Sequence, residues 1–266
     1  MIRFGVCQWS LDRRGPDALA RAAELGFEAI HLDGGELVSG DWWPDGPAIA
    51  ATYAEAAADT RVSIAAVAPG RLNQLGLTSP AGSEPARLCE QSIAVAIAAA
   101  ARLGAPLIFL PSFANGEIRD EPGLRRTAEM MRATCDLAAE HGLLVATENT
   151  LSATDNLRLL GSVDRPNARV LLDTLNPALW GHHVAASVDA LWPHLADQVH
   201  VKDGRDGQMG NAALGDGQAG FGATAAALEA HGFEGSLISE NDYTGEHAGR
   251  AAQDVATLTR LFQSGA

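Results

Sequence analysis

"HGLLVATEN", His141–Asn149, contains the unit that decides the fold of this chain. A glycine follows a long amphipathic stretch, an apolar β-type run comes next, and an acid stands where the run ends. Glycine suits the left-handed position that closes a helix. A run that is apolar on both alternations suits a parallel strand covered on both faces. The same unit recurs from one end to the other. The strand candidates are "IRFGVCQ", "FEAIHLD", "VSIAAVA", "PLIFLP", "LLVATEN", "ARVLLDT", "QVHVKD" and "SLISEN". Helical patterns separate them, and Gly26, Gly104, Gly142 and Gly232 are expected as helix C-caps. Eight strand–helix units within 266 residues predict a (β/α)8 barrel of class α/β, one domain over residues 1–266. A doubly wound open sheet is the alternative, but it usually uses fewer strands. No low-complexity linker divides the chain.

Composition narrows the function. Hydrophobic residues make up 47% of the chain, enough for a sizeable core, and the formal net charge is −14. That charge argues against nucleic acid and against an anionic membrane surface, both of which are held largely through basic groups. The N-terminal "MIRFGVCQWSLDRRG" has no basic stretch followed by an apolar run, so no signal peptide is expected. The most apolar helical stretch, "SIAVAIAAAARLG", is broken by Arg102 and Gly104 well short of a membrane span. Cys7, Cys89 and Cys135 lie far apart and form no CxxC, which suits reduced thiols in a cytoplasmic protein, with Cys89 and Cys135 filling helix faces.

In a (β/α)8 barrel, chemistry sits at the C-terminal ends of the strands. The fifth candidate strand ends at Glu148 and the sixth at Asp173; His200 closes the seventh and Glu240 the eighth. Four successive strands thus bring Glu, Asp, His and Glu to one rim. Three carboxylates gathered out of water need a counterion. One imidazole with three carboxylates suits a single divalent metal ion, Mn²⁺, Mg²⁺, Co²⁺ or Zn²⁺. Taken alone, an Asp or Glu at a strand end is more often a loop cap than a ligand, and a lone His is more often merely hydrogen-bonded.

The segments "ATENT", "LLDT", "HVKD" and "SEND", with the later "LGDGQAGF", resemble the xylose isomerase-like TIM barrels, specifically their sugar isomerase and epimerase branch. The resemblance covers the whole chain in strand order and is most specific from Glu148 to Asp242. It implies one divalent metal at Glu148, Asp173, His200 and Glu240. It also implies that Glu148 and Glu240 face opposite sides of a substrate carbon and move its proton. The substrate implied is a small carbohydrate-like molecule: a sugar, a keto acid or a cyclitol. The chemistry is coherent by itself. Deprotonation beside a carbonyl builds an enediolate that a cation stabilises, and two carboxylates serve as base and acid. Manganese would serve in that role, and a homo-oligomer is left open.

Arg205 resembles a family arginine that contacts substrate, although a solvated loop charge between Asp203 and Asp206 reads as well. Lys202 lies two residues beyond His200, on the same side of the strand if alternation holds, either at the site or in an ion pair. Trp9 and His31, at the ends of the first and second strands, are expected as pocket walls, with Trp42-Trp43, Asn73 and Gln74 as further candidates. Asn176 is a substrate-binding candidate at a position where many ketose epimerases carry histidine, and "NTLSATDN" lacks their Arg-Tyr-Glu type of segment. Both departures bear on the substrate and leave the ligand set intact. His182 and His183 read as surface histidines.

The family's apurinic-site endonucleases use three zinc ions and extra histidines. Here the third strand ends "VAPG" and the fourth "FLPS", without histidine, and the chain is acidic. The alternatives kept are a lyase or dehydratase on the same metal site, for example keto-cyclitol or keto-sugar dehydration or C-glycoside cleavage, and a non-catalytic binding protein. "GDGQAG", Gly215–Gly220, matches G-x-G-x-x-G but follows no convincing strand, so no nicotinamide site is expected. The glycine-rich stretch Gly204–Gly222 is expected as a mobile connection beside the site.

Overall fold

The structure is a computed structural model that describes residues 2–34 and 47–263. Trp42 and Trp43 lie outside the described residues. Eight parallel strands run in the order β1 to β8 and close into a barrel, with helices between them. They are β1 Arg3–Cys7, β2 Ala29–Asp33, β3 Ser63–Ala68, β4 Leu107–Pro111, β5 Leu144–Glu148, β6 Ala168–Asp173, β7 Leu195–Val201 and β8 Ser236–Ser239. Each falls on one of the eight apolar runs. The four expected helix-ending glycines have φ of 88°, 68°, 69° and 69°, the left-handed region that costs a residue with a Cβ.

The described residues pack as two compact units. The first is drawn from Met1–His31, Glu55–Ser63 and Leu172–Ala266. In it β8 lies between β7 and β1, with Val199 beside Leu237, Val201 beside Ser239, and Val6 also beside Ser239. Val6, Ile30, Val199, Val201, Leu237 and Ile238 are all without solvent exposure. The second unit is drawn from Leu32–Ala54 and Ile64–Leu171. There β3, β4 and β5 pair in sequence order and β5 continues to β6. Long helices cover it. Glu84–Leu103 is opened by the Ser83 hydroxyl accepting from the Ala86 N–H, and Glu121–Ala139 by the Asp120 carboxylate accepting from the Gly123 N–H.

Cys89 and Cys135 are buried in these two helices, and burial pushes their thiols up to about 11 and about 12. Cys7, Cys89 and Cys135 are all buried thiols. Among the described residues no helix is long and apolar enough to cross a membrane.

Candidate functional site

Three strand ends of the first unit are locked to one another before any side chain is considered. The Thr174 N–H donates to the His200 carbonyl at 3.1 Å, and the Glu240 N–H donates to the Val201 carbonyl at 3.0 Å. The Thr174 hydroxyl also donates to the Lys202 carbonyl and accepts from the Lys202 N–H. Asp173 ends β6, His200 is the penultimate residue of β7, and Glu240 directly follows β8. Their side chains therefore start from a fixed rim.

Asp173 is 1% exposed, and its Oδ1 accepts from the Leu175 and Asn176 N–H groups at 2.8 and 2.5 Å. Those bonds aim the second oxygen. Oδ2 lies 2.9 Å from the Lys202 ammonium but makes no aligned hydrogen bond. The same ammonium bonds Glu240 Oε2. Glu240 Oε1 accepts from the Trp9 indole at 2.8 Å, and Oε2 stands 3.4 Å from His200 Nδ1. Burial would push the Glu240 carboxyl up, but the Lys202 ammonium outweighs it and holds the group below the usual carboxylate range.

One donor atom from each of Asp173, His200 and Glu240 lies within 4.8 Å of the others. Glu148 ends β5 in the second unit and is 3% exposed. The donor set fits a divalent cation on two local observations. Asp173 Oδ2 is a buried acceptor without an aligned donor, and His200 Nδ1 faces a carboxylate oxygen at 3.4 Å. An electropositive centre satisfies both acceptors at once.

Of the other expected residues, Trp9 and Lys202 reach this centre. Trp9 lies in the short helix Gln8–Ser10, 38% exposed, with its ring edge-on to His200 at 6.2 Å. Asn176 is buried, and its side-chain oxygen has no hydrogen-bond partner. Arg205 stands on the exposed loop after β7, with Nε donating to the Asp216 carbonyl at 2.8 Å, away from the ligands in hydrogen bonding. Asn73 serves its own unit by accepting from the Phe113 N–H.

His31 is not a wall. It has no solvent exposure and lies behind His200, with Nδ1 at 3.0 Å from His200 Nε2 and Nε2 at 2.5 Å from Gln198 Oε1. Burial, and then the neighbouring His200, hold its pKa well below the usual histidine value. The Cys7 thiol lies 3.6 Å from the same His200 nitrogen. Sequence reasoning did not single out Cys7 or Gln198 for this region. The usable signal was alternation, because Gln198 stands two residues before His200 on one strand.

The glycine-rich stretch is pinned, which corrects the expectation of a mobile connection. The buried Asp203 carboxylate accepts from the N–H groups of Gly204, Gly215, Gly217 and Ala219 at 2.9 to 3.0 Å. Backbone N–H groups converging in this way form an anion nest. Here the anion is the protein's own aspartate, which accounts for the nucleotide-like spelling. A Cβ on Gly217 would come 2.2 Å from Asp203 Oδ1, so the sequence must leave that position bare.

The family described as xylose isomerase-like TIM barrel matches residues 19–261. The 2-epi-5-epi-valiolone 7-phosphate 2-epimerase of Actinoplanes sp. is 36% identical over 262 residues, 97% of this chain and 94% of its own. Among solved structures, a xylose isomerase domain protein from Planctomyces limnophilus has a TM-score of 0.77 at 19% identity, covering 97% of this chain and 96% of that one. A D-allulose 3-epimerase from Methylomonas sp. has a TM-score of 0.77 at 18% identity, covering 98% of both chains. These two likenesses are of fold.

Proposed function

Because the chain belongs to the xylose isomerase-like TIM barrel family, we propose that it is a divalent-metal-dependent epimerase of a phosphorylated keto-sugar or keto-cyclitol. The observation that carries this reading is the group Asp173, His200 and Glu240, with imidazole nitrogen facing carboxylate oxygen at 3.4 Å. The 7-phosphate epimerase at 36% identity supports the substrate class.

Glu148, Asp173, His200 and Glu240 would hold the ion. When bound, a cation such as Mn²⁺, Mg²⁺, Co²⁺ or Zn²⁺ supplies Lewis-acid stabilisation of the negative charge that deprotonation beside a carbonyl creates. The Lys202 ammonium offsets one of the three carboxylate charges, and a dication would offset the other two. Glu148 and Glu240 work from opposite faces of the reacting carbon: one takes its proton and the other delivers one. Trp9 steadies Glu240 through Oε1 and offers its ring to an apolar face of the substrate. Asn176 Oδ1, buried and unpartnered, would accept a substrate hydroxyl. Arg205 is the cation assigned to the anionic end of the substrate. The partner is a small molecule, with no nucleic acid or membrane role.

Incubation with phosphorylated keto-sugars and keto-cyclitols in D₂O and Mn²⁺ tests the proposal. The expected product is an isomer carrying one deuterium at the inverted carbon. Loss of water or of a fragment would place the chain among lyases, and metal binding without exchange of any proton would leave a binding protein.

A further inference from the structure

We propose that Gln198 and His31 form a relay that fixes the proton of His200 on Nε2 and thereby presents Nδ1 to the ion; this rests on reading His200 as a ligand. The geometry is a line of three buried side chains. Gln198 Oε1 lies 2.5 Å from His31 Nε2, and His31 Nδ1 lies 3.0 Å from His200 Nε2. His200 Nδ1, at the far end, faces Glu240. Gln198, His31 and His200 are 3%, 0% and 0% exposed.

The direction of each bond follows from the first. An amide oxygen only accepts, so His31 Nε2 must carry a proton. A neutral imidazole has one donor and one acceptor, so His31 Nδ1 accepts and His200 Nε2 donates. The lone pair of His200 is then left on Nδ1. The Cys7 sulfur, 3.6 Å from Nε2, is a weak second acceptor for the same proton. A reversed Gln198 amide would invert the whole line, put a proton on His200 Nδ1 and close that nitrogen to a cation. The polarity of one buried amide thus decides whether the histidine is a ligand. A ligating histidine commonly has its other nitrogen oriented by a partner, and loss of that partner typically costs 10- to 100-fold in metal affinity.

The fold explains why these groups meet. Cys7 and His31 are register partners on β1 and β2, while β7 is separated from β1 by β8. A contact between β2 and β7 side chains therefore crosses the interior enclosed by the strands. Gln198 and His200 share that inward side by alternation, two residues apart. Gln198 and His31 are positioning residues, since neither reaches the rim where substrate would lie.

The test is histidine-detected ¹⁵N NMR of the metal-free and ¹¹³Cd-loaded protein, with Mn²⁺ affinities of Gln198→Leu and Gln198→Glu. His31 should carry its proton on Nε2 in both states, and cadmium should couple to His200 Nδ1. Gln198→Leu should weaken Mn²⁺ binding about 10- to 100-fold, whereas Gln198→Glu, which keeps an acceptor in place, should stay within a few-fold of the parent. A His31 proton on Nδ1, or Gln198→Leu binding as tightly as the parent, would overturn the relay. So would a second equivalent of Co²⁺ with thiolate charge transfer, because Cys7, His31 and His200 would then be ligands of their own. Absence of cadmium coupling to His200 instead removes the ligand reading itself, and the two failures are distinguishable. The NMR measurement uses the native chain and stands even where a variant fails to fold.

Discussion

The Trp9 indole donates to Glu240 Oε1 at 2.8 Å, tying the residues that follow β1 to those that follow β8. A half-exposed aromatic thereby fixes the orientation of a carboxylate whose other oxygen meets Lys202 and His200. Trp9→Phe keeps the ring and removes the donor. Losing one charge-assisted hydrogen bond costs about 1–2 kcal/mol, so kcat should fall roughly 5- to 30-fold. Steady-state kinetics on the epimerised substrate check it; an unchanged kcat would make Trp9 a wall only.

Glu148 and Glu240 are assigned the proton transfers. Glu148→Gln should lower the rate of deuterium exchange by roughly 10²- to 10⁴-fold, the usual contribution of a positioned acid or base. Circular dichroism should remain that of the parent. Exchange at the parental rate would remove Glu148 from the mechanism.

Lys202 competes with a cation for Asp173 and Glu240. Lys202→Met removes that positive charge and leaves the carboxylates crowded. The metal-free protein should melt earlier, while Mn²⁺ should bind more tightly and raise Tm by more than in the parent. Turnover should fall with the loss of charge balance. Calorimetric titration and paired melts decide the matter, and weaker binding in the variant would mean that Lys202 supports the ion.

Asp203 satisfies four backbone N–H groups of one loop. Asp203→Ala leaves the buried Gly204 and Ala219 N–H groups without their acceptor and turns the part-buried Gly215 and Gly217 ones to water, a loss of about 2–4 kcal/mol and roughly 10 °C in Tm. Gly217→Ala should destabilise by collision with the same carboxylate. Hydrogen exchange should rise across 204–220 in both variants and little in the rest of the chain.

The eight-fold alternation was legible along the chain, because continuous apolar runs and helix-ending glycines are local properties. It also placed Glu148, Asp173, His200 and Glu240 at strand ends, since a barrel converts position along a strand into position at a rim. Alternation brought Lys202 to the same side of its strand as His200. What remained hidden depended on groups distant in the chain. His31 read as a wall because its exposure is set by what stands in front of it, and His200 stands there. "GDGQAG" read as a decoy for a phosphate loop, and only the folded chain revealed that its N–H groups surround Asp203. Hydrogen-bond partners 169 and 231 residues apart, His31 with His200 and Trp9 with Glu240, leave no local periodicity to read. Periodicity fixes which face a side chain takes, and tertiary structure decides what it meets there.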